Sequence, residues 1–75
     1  MSKNDKNTET LYLRDDFIKL GQALKAAGFA GSGVEAKYAV QDGKIKVNGK
    51  VETQRGKKLV AGDFVEYGEY AIKIE

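Results

Sequence analysis

An α+β fold is expected of this 75-residue chain: two N-terminal helices packed on a small, mostly antiparallel, twisted sheet of three to five strands. Three observations predict it. Apolar residues recur twice at helical spacing in the first half, over 17–27 and 33–42, and each stretch is closed by a glycine. In the second half the period drops to two, and the turn signals Asn48-Gly49 and Gly68-Glu69 fold the strands into hairpins. A chain of this length buries only about 60% of the surface it exposes when unfolded, so helices and sheet must share one core.

Taken in order, residues 1–10 are polar and aperiodic, the composition of a disordered tail, and 11–75 form the single domain. Leu11-Tyr12-Leu13 could add an edge strand. Asp15 or Asp16 is placed to cap the first helix, in which Phe17, Leu20, Leu24 and Ala27 form the apolar stripe, Ile18 and Ala23 widen it, and Lys19, Gln22 and Lys25 lie off it. The adjacent carboxylates of Asp15 and Asp16 read as caps and not as a catalytic pair. Gly28 ends the helix in the left-handed conformation, which positions Phe29 to fold back on the last turn.

Ser32-x-x-Glu35 reads as a capping box, with the hydroxyl on the Glu35 amide and the carboxylate returning to the Ser32 amide. The second helix runs from Gly33 to about Asp42. Ala36, Ala39 and Val40 make a narrow apolar stripe, Lys37 and Gln41 share the adjoining face, and Gly43 terminates it. Ile45 and Val47 then alternate with Lys44 and Lys46, a half-buried strand with a basic outer face. A two-residue loop at Asn48-Gly49 would set Lys46 beside Val51. A three-residue bulged turn keeps apolar residues on one face, so the bulged turn is expected. The 54–58 segment, with Arg55, Lys57 and Lys58 around Gly56, reads as an exposed, mobile basic loop. Leu59 and Val60 should return to the core, and Ala61-Gly62-Asp63 makes a turn. In the last hairpin Tyr67 pairs with Tyr70 and Val65 with Ile72 across a type II′ turn.

The net charge of +2 says little, but its distribution does. Seven of the thirteen basic residues fall in 32–58 against three acidic ones, a local excess of +4, while the other parts sum to −2. Such asymmetry is the footprint of a surface that meets polyanions. With neither cysteine nor histidine, disulfides, thiolate metal sites and imidazole chemistry are excluded. A core this small leaves little room for a substrate cavity. No cofactor, metal, small-molecule substrate or membrane partner is therefore expected, an enzyme is the weakest reading, and nothing points to an obligate oligomer. The N-terminal residues lack the apolar core of a secretory signal, and no apolar run approaches the roughly 20 residues of a membrane span; a cytoplasmic monomer is expected.

Three motifs carry a resemblance: Leu24-Lys25-x-x-Gly28-Phe29-x-x-Ser32-Gly33-x-x-Ala36-Lys37, Gly43-x-Ile45-x-Val47-Asn48-Gly49-Lys50, and Val60-x-Gly62-Asp63-x-Val65. From about Ile18 to Ile74 the chain resembles the RNA-binding domain named after the fourth small-subunit ribosomal protein (αL motif), in particular its small stand-alone bacterial members. Many members carry arginine directly after the motif serine, where this chain has Gly33. The resemblance implies two packed helices, a small twisted sheet and structured RNA held against the helices and the basic loop, with contacts at Lys25, Ser32, Lys37, Lys44, Lys46, Lys50, Arg55, Lys57 and Lys58. Charge and exposure single out nearly the same residues. Lysines on an edge strand serve equally to block edge-to-edge pairing, Ser32 is as much a cap as a ligand contact, and Tyr38 leans towards a core or interface role. The expected function is non-catalytic binding of structured RNA, ribosomal RNA foremost, through one basic face made by the second helix, the hairpin and the 54–58 loop. The rival reading is a protein-interaction adaptor on a ribosomal or replication partner, using the Tyr67/Tyr70 hairpin or the N-terminal tail.

Overall fold

The computed structural model describes residues 7–75, so of the ten-residue tail expected to be disordered, 1–6 lie outside the described residues. In chain order the described elements are β1 (Asn7–Leu11), β2 (Ile18–Lys19), α1 (Leu20–Ala26), α2 (Gly33–Gln41), β3 (Ile45–Val47), β4 (Lys50–Val51), β5 (Lys58–Leu59), β6 (Phe64–Tyr67) and β7 (Tyr70–Ile74). The main sheet has the order β1-β7-β6-β3-β4, and β2 and β5 form a separate two-stranded ribbon. Every pairing is antiparallel except β1 with β7. The α+β expectation of two helices on a mostly antiparallel sheet holds. The core joins Leu20, Leu24, Ala36 and Val40 of the helices to Ile45, Val47, Val65, Ile72 and Ile74 of the sheet and Leu59 of the ribbon.

Residues 7–10 correct the expected tail. They run parallel to β7 in register from Asn7 opposite Tyr70 to Leu11 opposite Ile74. Their side chains stay exposed; it is the backbone that is satisfied, with the Asn7 amide donating to the Glu69 carbonyl at 3.0 Å and the Glu75 amide to the Leu11 carbonyl at 2.9 Å. An edge strand needs no apolar face to be held this way.

Helix α1 also begins later than expected, at Leu20 and without help from Asp15 or Asp16. Its first amides are satisfied by the distant basic loop: Leu20 donates to the Lys57 carbonyl at 2.8 Å and Gly21 to the Arg55 carbonyl at 3.0 Å. Ile18 and Lys19 are drawn into the ribbon opposite Leu59 and Lys58, which leaves Phe17 39% exposed.

Both helices end as expected. Gly28 (φ 80°) and Gly43 (φ 75°) occupy the left-handed region, and each end closes with paired bonds: Gly28 to the Lys25 carbonyl and Phe29 to the Leu24 carbonyl, then Gly43 to the Val40 carbonyl and Lys44 to the Ala39 carbonyl. This is the Schellman arrangement.

The two hairpins divide. The last one has the expected register, Tyr67 with Tyr70 and Val65 with Ile72, around Gly68 at φ 60°. The Asn48-Gly49 hairpin is a two-residue turn and not the bulged one: Val47 pairs with Lys50 and Lys46 with Val51, with φ of 53° and 88° at the turn residues. Two facts outweigh face purity. Strand β4 is two residues at the sheet edge, so Val51 can stay 54% exposed. The Asn48 side chain also fixes the turn to the start of β6, donating from Nδ2 to Asp63 Oδ1 (3.0 Å) and accepting the Phe64 amide at Oδ1 (2.9 Å). Val60 departs from expectation too: only Leu59 is buried, and Val60 turns outward at 48% exposure because its amide is taken by the Asp63 carboxylate in the following turn.

Candidate nucleic-acid interface

The tie between the 54–58 loop and the start of α1 creates a basic concavity. The bonds from Leu20 and Gly21 to the loop carbonyls lay Arg55 across the helix N-terminus. The capping of α2 brings its first turn alongside. Ser32 Oγ accepts the Glu35 amide at 3.2 Å, while the Glu35 carboxylate reaches past the expected Ser32 amide to accept from Gly31 at 2.6 Å.

Between these parts lies a groove of about 320 Å³ lined by Lys19, Lys25 and Arg55, by Gln22 and Ala36, and by the backbone of Gly21, Gly33 and Gly56. It contains three cations and no carboxylate. A β-carbon at Gly33 or Gly56 would meet nothing within 4 Å, and neither has a positive φ. The fold does not require glycine at either position. What glycine provides there is backbone open to close approach, as an extended polyanion needs. Gly21 differs: a β-carbon on it would stand 2.5 Å from Arg55 Cγ and 3.0 Å from Cδ, so the bare glycine is what lets the arginine side chain cross the helix.

Of the expected contact residues, the structure brings Lys25 and Arg55 into this groove, and Ser32 directly adjoins it as the cap of α2. Lys37 is exposed one helical turn beyond Gly33, on the same side of α2. Lys57 is exposed in the loop. Lys58 on β5 stands directly opposite Lys19 on β2, with its ammonium 4.7 Å from the centre of the Phe17 ring. Like charges opposite one another across a ribbon are destabilising. None of these cations is ion-paired to a described carboxylate.

Lys44 and Lys46 are not brought to the groove. Lys46 alternates with buried Ile45 and Val47, which aims it away from the core and hence away from the helices, where it is in register with Glu66. A separate shallow depression is lined by Lys44, Lys46, Glu66 and Gly68. Lys50 is exposed on the edge strand β4. The single basic face expected of helix, hairpin and loop is thus two surfaces, the helix–loop groove and the outer face of the sheet. Lys19 was not among the expected contacts, because its place in the groove depends on the β2–β5 pairing across 40 residues of chain.

No helix of the described residues is long and apolar enough to cross a membrane, and they contain no cluster of acidic residues able to hold a metal.

Comparison with known proteins agrees with this fold. The family model described as the S4 domain matches residues 11–75. YbcJ of Escherichia coli is 37% identical over 57 residues, covering 76% of this chain and 81% of that protein. A protein of Bacillus subtilis that bears the name "Probable ribosome maturation protein RlbA" is 41% identical over 60 residues, covering 76% of this chain and 84% of its own length. The solution structure of E. coli YbcJ, described as revealing an αL motif involved in RNA-binding, superposes with a TM-score of 0.65 at 34% identity, over 99% of this chain and 90% of that one. Neither protein bears an enzyme's name.

Proposed function

This chain belongs to the S4 domain family, and from that premise we propose that it binds structured RNA without catalysis, the RNA being ribosomal or that of a ribosome assembly intermediate. The observation that carries the reading is the groove in which Lys19, Lys25 and Arg55 surround the open backbone of Gly33 and Gly56 with no carboxylate among them. The names of its relatives, one for RNA binding and one for ribosome maturation, point the same way.

In this reading Arg55 grips a phosphate with its planar fork, Lys19 and Lys25 neutralise the neighbouring phosphates, and Lys37, Lys57 and Lys58 extend the track to either side. The free amides of the first turn of α2 add to the attraction for anions beside the Ser32 cap. Duplex RNA hides its base edges in a deep groove, so a small rigid surface of this kind reads backbone shape and 2′-hydroxyls. Lys44, Lys46 and Lys50 lie outside the grip and contribute only to the long-range field. The domain acts as a monomer in the cytoplasm.

The test is a salt titration of binding to a hairpin RNA. Log affinity should fall linearly with log salt, because each phosphate neutralised releases counterions. Lys37→Glu combined with Arg55→Glu should abolish binding while the thermal unfolding of the protein stays cooperative. An affinity indifferent to salt, or one that survives the double substitution, would refute the proposal.

A further inference from the structure

Helix α1 has a second groove at its other end. Where the Arg55 loop lies against Gly21 at the start of the helix, the residues that close its C-terminal end, Ala27, Gly28 and Phe29, border a wide concavity of about 780 Å³, closed on the far side by the β6–β7 turn and the edge strand β1. Its floor is aromatic. The Phe29 ring is 5.6 Å from Tyr70 and 6.5 Å from Tyr67, and Tyr70 is 51% exposed. Its rim is acidic, with Glu9 on β1 and Glu69 in the turn, and among the described residues lining it there is no lysine or arginine.

Each part has a structural reason to exist, but the combination does not. The left-handed close of α1 needs an apolar contact from Phe29, and Tyr67 packs against the core. Neither requires a half-exposed tyrosine beside them, or two carboxylates along the far side. Two negative charges repel a phosphate backbone, so a second stretch of RNA is a poor occupant. A guanidinium is a good one: it stacks on aromatic faces and its planar fork meets a carboxylate with two hydrogen bonds.

We propose that the Phe29/Tyr67/Tyr70 groove with Glu9 and Glu69 is a docking site for an arginine-bearing segment of a partner protein. Helix α1, of seven residues, is roughly 10 Å long at 1.5 Å per residue. It therefore carries both grooves, of opposite charge, on one rigid element. The domain can hold RNA in one groove and a basic protein segment in the other, as a clamp between the two components of a ribonucleoprotein.

The experiment titrates isotopically labelled full-length protein with a short peptide of arginines spaced by glycine and serine, alongside the same peptide with citrulline, the neutral isostere, in place of arginine. The amide signals of Phe29, Glu9 and 68–70 should move with the arginine peptide. Citrulline, or the variant Tyr70→Ala with Glu69→Gln, should weaken binding by roughly 3- to 30-fold, the span from an exposed to a desolvated cation–π contact. Both substituted side chains are exposed, and hairpin-RNA affinity, measured on the same variant, should be unchanged, which separates this test from that of the RNA groove. No binding at millimolar peptide, signal changes centred elsewhere, or equal affinity for the citrulline peptide would overturn the proposal. So would an oligonucleotide that moves the same signals, or self-association through Tyr70.

Discussion

Replacing Gly21 by alanine should separate the grip on RNA from the stability of the fold. The new β-carbon would sit 2.5 Å from Arg55 Cγ and 3.0 Å from Cδ, but 3.6 Å from the Arg55 carbonyl oxygen. The first two distances cannot stand, whereas the third is an ordinary contact. The loop backbone and its bond to the Gly21 amide can therefore stay, and only the flexible arginine stem must swing away. Moving it off its preferred rotamer costs about 0.5–1.5 kcal/mol, offset by up to about 1 kcal/mol from replacing a helical glycine. Net stability should change by no more than about 1.5 kcal/mol, a melting shift within about 12 °C for a domain of this size. The displaced guanidinium would lose a charge-assisted bond to phosphate, worth about 1.5–3 kcal/mol, so affinity for a hairpin RNA should fall at least about tenfold. Because the substitution acts only through Arg55, Gly21→Ala added to Arg55→Ala should cost nothing further. Affinity by fluorescence anisotropy and melting by circular dichroism read the two effects separately. If the two substitutions prove additive in affinity, or if Gly21→Ala alone lowers stability by more than about 2 kcal/mol, a scale ordinarily reached only through a named structural defect, the account of the groove is wrong.

Asn48→Ala should lower the melting temperature by about 10–20 °C, since it removes two side-chain hydrogen bonds, one of them to a carboxylate, and leaves alanine at φ 53°; thermal denaturation checks it, and RNA affinity at low temperature should hold. Gly33→Arg should fit without loss of stability, because a β-carbon there meets nothing within 4 Å, and should tighten RNA binding while steepening its log–log salt slope by roughly 1. An unchanged slope would mean that the first turn of α2 does not face the phosphates.

What was legible in the sequence was what short stretches of chain decide for themselves. Gly28 and Gly43 close their helices, Ser32 caps α2, and Gly68 fixes the register of the last hairpin. What was hidden depended on partners far along the chain. Asp15 and Asp16 looked like the caps of α1, yet that role falls to the carbonyls of Arg55 and Lys57. The Asn48 turn would have been bulged had face purity ruled, but an exposed two-residue edge strand imposes no such demand, and the anchor that decides the turn is at Asp63 and Phe64. Parallel pairing of β1 and the β2–β5 ribbon leave almost no pattern in strands whose side chains are exposed or that are two residues long.

The placement of Lys44 and Lys46 was, by contrast, available from the sequence. A strand that alternates apolar and basic residues puts its cations on the face without a core, and in a two-layer fold the core face is the one the helices cover. Cations on the outside of β3 are therefore barred, by the same alternation that reveals them, from joining those at the helix N-termini. The groove draws its charge from positions with no such constraint: an edge ribbon, a loop and the exposed side of α1. That difference explains why Lys46 can tolerate Glu66 in register beside it, while Lys19 stands opposite another lysine. A carboxylate near the groove would contribute at most about 1 kcal/mol as a surface ion pair, yet it would repel every phosphate within the screening length of about 8–10 Å. Stability alone would favour a glutamate at one of those two positions; a phosphate ligand favours the pair of lysines found there.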